Sequence, residues 1–100
     1  MAARRLFAVT RKRGPAWDGA RPMEEQPHWR AHADFMNGLH DEGLILFGGP
    51  LAGTPEVLFA MRAASAEEIE SRLAADPWVG NGLLELVRIV PWTLRLGSLG

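Results

Sequence analysis

The order in which strand-like and helix-like hydrophobic patterns follow one another is the feature that most constrains how this chain can fold. RLFAVTR, residues 5–11, is rich in β-branched and aromatic residues and predicts a first strand. From about Glu24 to Gly43 the apolar residues recur at spacings of three and four, which predicts an amphipathic helix with Pro27 in its first turn. Gly43 suits the left-handed residue that ends such a helix.

A hairpin and a second helix are predicted next. LILF, residues 44–47, begins the second strand, and EVLFAMR, residues 56–62, forms the third, while GGPLAGTP between them is dense in turn residues. Ser65 and Glu68 have the spacing of a capping box, which predicts that the second helix begins there.

The end of the chain completes a recognisable order of elements. The second helix ends at Asp76, because the ring of Pro77 disfavours the α conformation in the residue before it. LLELVRIV, residues 83–90, forms the fourth strand. The order β-α-β-β-α-β predicts an α+β protein of ferredoxin-like topology, with two helices on one face of a four-stranded antiparallel sheet. A chain of 100 residues is long enough for one such domain, over residues 1–100.

The opposite face of this sheet needs a cover. The third and fourth strands carry large apolar residues at both odd and even positions, whereas a strand with one solvated face should alternate apolar and polar residues. The sheet of a second copy is the simplest cover, so we expect a homodimer that forms a dimeric α+β barrel. A charge at Val57 or Phe59 is expected to dissociate or unfold it.

Composition argues against several classes of partner. The 11 basic and 12 acidic residues leave a net charge of -1, so the chain lacks a strong field for binding nucleic acid. The absence of cysteine excludes disulfides, thiolate metal sites and cysteine nucleophiles. No apolar run approaches the length of a signal-peptide core or a membrane span, so we expect a cytoplasmic protein with no membrane partner.

Two ionisable residues stand in unusual places. His32 lies on the apolar face of the first predicted helix, where it is either a satisfied core histidine or a functional group whose charge changes near neutral pH. Asp76 lies at the negative end of the second helix, where it either caps a short turn that begins with Pro77 or orients the His32 imidazole as a carboxylate orients a general base. Because Asn retains the capping ability of Asp, Asp76→Asn is expected to leave the fold nearly intact.

Other candidates concern ligand binding. Trp17, in a long connection over residues 12–23, and Trp78, beside Asp76, either line an apolar ligand pocket or pack as core, and we assign both, with Arg11, to substrate binding. His28 and His32 have a spacing that can hold a metal, but no acidic residue between them completes the HExxH motif, so no metal is expected. No phosphate-binding loop is present, and no cofactor is expected.

Four segments together resemble the YciI-like (YCII-related) family across nearly the whole chain. They are WRAHADFMNGLHDEG at residues 29–43, GGPL at residues 48–51, ADPW at residues 75–78 and PW at residues 91–92. The resemblance implies a dimeric α+β barrel with an active site built on a His-Asp pair, which corresponds here to His32 and Asp76.

The resemblance does not assign a reaction, since the family's biochemistry is mostly unassigned. Related dimeric barrels include monooxygenases, isomerases and lactone-forming enzymes, and one YciI-like branch is linked to removal of chloride from chlorinated hydroxyquinols. The connection over residues 12–23 is longer than in the shortest members of the family, so the pocket is expected to differ.

Two functional hypotheses follow. The first is a cofactor-independent lyase or isomerase in which His32, oriented by Asp76, moves a proton on a small cyclic or aromatic molecule. The alternative is a non-catalytic small-molecule-binding or accessory module on the same dimeric barrel. A His-Asp pair within hydrogen-bonding distance in an open pocket favours the enzyme, and a sealed His32 favours the module.

Overall fold

Four antiparallel strands form one sheet in the computed structural model, which describes residues 3–99. The strands are β1 (Arg5–Arg13), β2 (Ile45–Pro50), β3 (Glu56–Ala63) and β4 (Leu84–Pro91). Their order across the sheet is β2-β3-β1-β4, and β1 pairs with both β3 and β4. The predicted α+β fold with ferredoxin-like topology is confirmed.

The helix layer consists of α1 (Trp29–Asp41), α2 (Ala66–Leu73) and the short α3 (Pro77–Gly80), and a 3-10 turn over Met23–Glu25 precedes α1. None of the helices in residues 3–99 is long and apolar enough to cross a membrane.

The first helix begins later than the sequence pattern predicts. Pro27 disfavours the α conformation at Gln26, which has an extended ψ of 151°, so the turn that contains Glu24 cannot continue into the helix. The chain re-enters helical geometry only after His28, whose positive φ of 61° is unusual for a residue with a side chain. Gly43 has a φ of 82°, as expected for the residue that ends this helix.

Strand β2 is longer than predicted, because residues 48–50 pair with β3 instead of forming the turn. Gly48 lies so close to β3 that an added Cβ would overlap the Phe59 ring. The connection itself spans residues 51–55 and is closed by a hydrogen bond from the Leu51 N–H to the Glu56 carbonyl at 2.9 Å. The hairpin brings Gly48 and Gly49 to the edge of the pocket described below.

Helix α2 begins at the predicted cap in a modified form. The Ser65 hydroxyl accepts a hydrogen bond from the Glu68 N–H at 3.1 Å, and the Glu68 carboxylate accepts from the N–H of Ala64 at 2.9 Å. In a standard capping box that carboxylate would reach the N–H of Ser65 itself.

The hydrophobic core lies between the helices and one face of the sheet. Its main cluster is contributed by β1, β3, α1 and α2, and it includes Phe7, Val9, Phe59, Met61, Leu39 and Ile69. A smaller buried cluster of Trp78, Leu83 and Leu84 adjoins the start of α3, and Trp17, Met23 and Trp29 pack against it.

The opposite face of the sheet carries apolar side chains. Leu58 and Ala60 lie on this face with Phe47 and Trp92, and the side chain of Phe47 is 55% exposed. Val57 and Phe59 pack on the helix side instead. Of the two outcomes predicted for a charge at Val57 or Phe59, this placement favours unfolding over dissociation, because successive side chains of a strand point to opposite faces.

Candidate active site

Asp76 is the centre of a buried polar cluster between the helices and β1. As the N-cap of α3, it accepts the N–H of Trp78 at Oδ1, at 2.9 Å. Both of its carboxylate oxygens also lie 2.9 Å from Nδ1 of His32. The structure thus brings His32 and Asp76 together, and the capping contact and the imidazole contact are present at the same time.

Arg11 completes the cluster. Its Nη2 donates to Asp76 Oδ2 at 2.8 Å, and Nη1 lies 3.7 Å from the sulfur of Met36. Arg11 is 0% exposed and Asp76 1% exposed, so this ion pair is removed from water.

The sequence-based assignment of Arg11 to substrate contact does not match this placement. Arg11 is fully buried, its guanidinium is bonded to Asp76 beneath the helices, and it is not among the residues that line the pocket.

The cluster keeps Asp76 ionised. Burial by itself raises the pKa of Asp76, but hydrogen bonds from His32, the Trp78 N–H and Arg11, together with the charge of Arg11, hold the pKa below its ordinary value. Asp76 is therefore a carboxylate at neutral pH.

Trp78 fixes the plane of the His32 ring. The indole and imidazole rings are stacked with centroids 3.8 Å apart and an angle of 7° between their planes. The indole N–H of Trp78 donates to the carbonyl of Pro27 at 2.7 Å, which ties the same ring to the chain just before α1.

One nitrogen of His32 remains available to a ligand. Within residues 3–99, Nδ1 is bonded to Asp76, whereas no protein partner is found for Nε2. No buried side-chain nitrogen or oxygen of these residues lacks a partner, so Nε2 retains access to solvent. That access leads into the pocket, which His32 lines.

The pocket above His32 has a volume of about 420 Å³. Its walls are mostly aromatic and aliphatic, and they include Trp17, Met23, Trp29, Met36, Val57 and Phe59. The Trp17 ring meets the Trp78 ring edge to face, with centroids 5.4 Å apart. Both tryptophans that the sequence assigned to ligand binding therefore lie at the pocket, and Trp78 also supports His32.

Gln26 holds the long connection in place over the pocket. Its buried side chain accepts the N–H of Asp18 at 3.0 Å and donates to the carbonyls of Asp18 and Arg21 at 2.7 and 3.0 Å. The role of Gln26 could not be predicted from the sequence, because no local pattern distinguishes a glutamine that holds a loop from one that is solvated.

Arg13 was also missed, although a pattern marks it. It has the same parity along β1 as the inward-pointing Arg11, and it lines the pocket.

The donors that could hold a metal are few. Within residues 3–99, no three His, Asp or Glu side chains lie close enough to hold a metal ion together. Asp76, the carboxylate nearest to His32, already has three protein partners.

The fold and the pocket define a ferredoxin-like α+β protein with a buried Arg-Asp-His cluster beneath an aromatic cleft. The profile of the YCII-related domain matches residues 6–93, and the chain belongs to this family. The resemblance in the sequence is thereby confirmed. A comparison with curated proteins found no match.

A solved structure shares the fold. It is 5-chloro-2-hydroxyhydroquinone dehydrochlorinase from Burkholderia phenoliruptrix, in complex with 2,5-dihydroxybenzoquinone. It is similar to this chain with a TM-score of 0.62 and 24% identity, over 92% of this chain and 95% of the other.

Proposed function

We propose that the protein is a cofactor-independent enzyme in which His32 acts as general base and then general acid on a small cyclic or aromatic molecule. The observation that carries the proposal is the difference between the surroundings of the two ring nitrogens of His32. Nδ1 is bonded to a buried carboxylate, and Nε2 is left to the pocket. A general base needs this combination of an orienting partner and an accessible nitrogen.

The proton transfer follows from the cluster. In the tautomer that carries its proton on Nδ1 towards Asp76, His32 takes a proton from a ligand carbon or hydroxyl at Nε2. The resulting imidazolium is stabilised by the carboxylate of Asp76 and by the face of the Trp78 indole. The proton then returns to another atom of the ligand, or it assists departure of a leaving group, which corresponds to an isomerase or a lyase.

Arg11 limits what Asp76 can do. Because its guanidinium bonds to Oδ2 and the pKa of Asp76 is lowered, the carboxylate stays ionised and does not accept the proton itself. Arg11 and Asp76 also cancel each other's charge, so the apolar pocket is not placed above an isolated buried anion.

The nature of the ligand is inferred from the walls. The tryptophans and the other apolar side chains around the pocket suit a planar ring. The solved relative is named for an activity on a chlorinated hydroxyhydroquinone, which makes such compounds a reasonable first test.

The test is proton exchange or elimination on a panel of cyclic carbon acids in D₂O, followed by NMR, with 5-chloro-2-hydroxyhydroquinone and a butenolide among them. We expect turnover or deuterium incorporation with at least one compound. We expect His32→Gln to lower the rate by about 10²- to 10⁴-fold. Trp92→Phe, on the opposite face of the sheet, is the matched control and should retain the rate.

Two results would contradict the proposal. A reaction that proceeds equally fast in His32→Gln would remove the histidine from the mechanism. Ligands that bind but are never exchanged or converted would indicate the alternative function, a non-catalytic binding module.

We also propose that the protein is a homodimer joined through the uncovered sheet face. Phe47, Val90 and Trp92 are 55%, 44% and 39% exposed there, a concentration of large apolar side chains that favours a protein interface. Sedimentation at micromolar concentration should give twice the 11.0 kDa mass of the chain. Val90→Lys should give the single mass, whereas Glu67→Lys on α2 should remain dimeric. A monomeric wild type would contradict this proposal.

A further inference from the structure

We propose that the ligand of this pocket carries a carboxylate, which Arg13 binds at the pocket mouth. The inference rests on the proposed function of the pocket and adds a chemical requirement to it. It concerns recognition only, and it does not depend on whether His32 transfers a proton.

The position of Arg13 is set by the end of β1. Its backbone N–H donates to the carbonyl of Pro55 at 2.9 Å, which anchors the residue beside the hairpin. Its guanidinium carbon lies 4.7 Å from the centre of the Trp17 ring. The cation is thus held over an aromatic wall of the pocket.

Arg13 differs from the neighbouring cations in having no carboxylate partner. Lys12 pairs with Glu85 at 3.7 Å, and Arg30, which also lines the pocket, pairs with Asp34 at 3.6 Å. Among residues 3–99, no carboxylate lies within 4.0 Å of the Arg13 guanidinium. A guanidinium stacked on a ring still presents its N–H groups in its own plane, where a planar acid can bind them.

Glu56 forms no ion pair with Arg13. Glu56 borders the pocket. In the register of β1 and β3 it lies opposite Lys12, and it is the neighbour of Val57, which packs against the core. By the alternation of side chains along a strand, position 56 has the parity of the opposite sheet face, and its carboxylate lies more than 4.0 Å from the Arg13 guanidinium. Below the pocket the charges of Arg11 and Asp76 cancel, and Arg30 is paired with Asp34, so Arg13 is the arginine of the pocket lining that has no ion-paired carboxylate.

The test compares two probes of equal size, 4-hydroxybenzoate and its neutral analogue 4-hydroxybenzamide. Binding is followed by NMR of the tryptophan indole N–H groups, and the tryptophan outside the pocket serves as an internal control. Signals of Trp17, Trp29 and Trp78 should shift, and that of Trp92 on the opposite sheet face should not. The benzoate should bind roughly five- to tenfold more tightly than the amide.

Variants of Arg13 test whether this residue causes the preference for the benzoate over the amide. Arg13→Gln should make the two probes bind equally, and Arg13→Lys should keep part of the preference. Arg5→Gln is the matched control, because Arg5 also stacks on an aromatic ring, that of Phe7, but lies at the other end of β1. It should leave the preference unchanged.

Other outcomes would contradict either the role of Arg13 alone or the ligand site as well. Equal binding of the two probes by the wild type, or a preference that survives in Arg13→Gln, overturns the role of Arg13 and leaves the pocket as a ligand site. If neither probe shifts the three pocket tryptophans, this inference and the proposed ligand site are both wrong.

Discussion

Two arginine–carboxylate contacts in the helix layer of this protein have nearly the same nitrogen–oxygen distance. Arg11 meets Asp76 at 2.8 Å beneath α1, and Arg72 of α2 meets Glu42, the residue after α1, at 2.7 Å. The side chains of the first pair are 1% and 0% exposed, and those of the second are 39% and 55% exposed. The two contacts therefore differ in their exposure to solvent and hardly in their length.

The difference in solvent decides what each contact does. A surface pair gains little, because water screens both charges and competes for their hydrogen bonds. A buried pair has lost its hydration, so each partner depends on the other, and removing one leaves a charge with nothing to balance it. In the cluster under the pocket each charged partner therefore stabilises the other, which suits the role proposed for His32.

The largest expected effect comes from removing the buried negative charge. Asp76→Asn should lower the free energy of unfolding by about 3–5 kcal/mol, because Arg11 would remain buried without a counter-ion. Urea unfolding at about pH 7 measures it. This replaces the milder effect expected from the sequence, where the ion pair with Arg11 was not visible. A loss below about 1 kcal/mol would show that water reaches Arg11.

The next largest effect is a partial recovery of the free energy of unfolding that is lost in Asp76→Asn. Adding Arg11→Met to Asp76→Asn should recover about 1–3 kcal/mol, because an apolar side chain of similar length needs no counter-ion in the same space. A double-mutant cycle of the four proteins by urea unfolding gives the coupling. If the two losses simply add, the two residues do not depend on each other as the burial indicates.

The difference in unfolding free energy between the wild type and Asp76→Asn should depend on pH. Since the pKa of Asp76 is lowered in the folded state, its stabilisation is complete above the unfolded value of about 3.9. It is lost as the pH falls through the lower folded value. The gap in unfolding free energy between wild type and Asp76→Asn should therefore shrink in acid. A gap that stays constant between about pH 7 and pH 3 would contradict the lowered pKa.

The smallest expected effect concerns the surface pair. Glu42→Gln should change the free energy of unfolding by about 0.2–1 kcal/mol, and added salt should reduce the difference further. Thermal or urea unfolding at low and high salt measures both. A loss as large as that of Asp76→Asn would show that bond length, and not burial, sets the strength of these pairs.

Local pattern was sufficient for the elements and for two of the site residues. The periods of the strands and helices depend on neighbouring residues alone, so the order β-α-β-β-α-β could be predicted from the sequence. His32 and Asp76 stood out because each is chemically unusual for its local position, a polar ring in an apolar stripe and an anion at the negative end of a helix.

Tertiary structure decided which groups those two residues meet. Arg11 lies 65 positions from Asp76 and His32 lies 44 positions from it, so their contacts depend on strand register and on the way each helix crosses the sheet. The sequence placed Arg11 against the ligand and overlooked Arg13, because both are arginines near one strand end. Burial separates them: one is enclosed as the partner of Asp76, and the other is held at the pocket mouth. Removal from water is a property of the assembled layers, and no local pattern contains it.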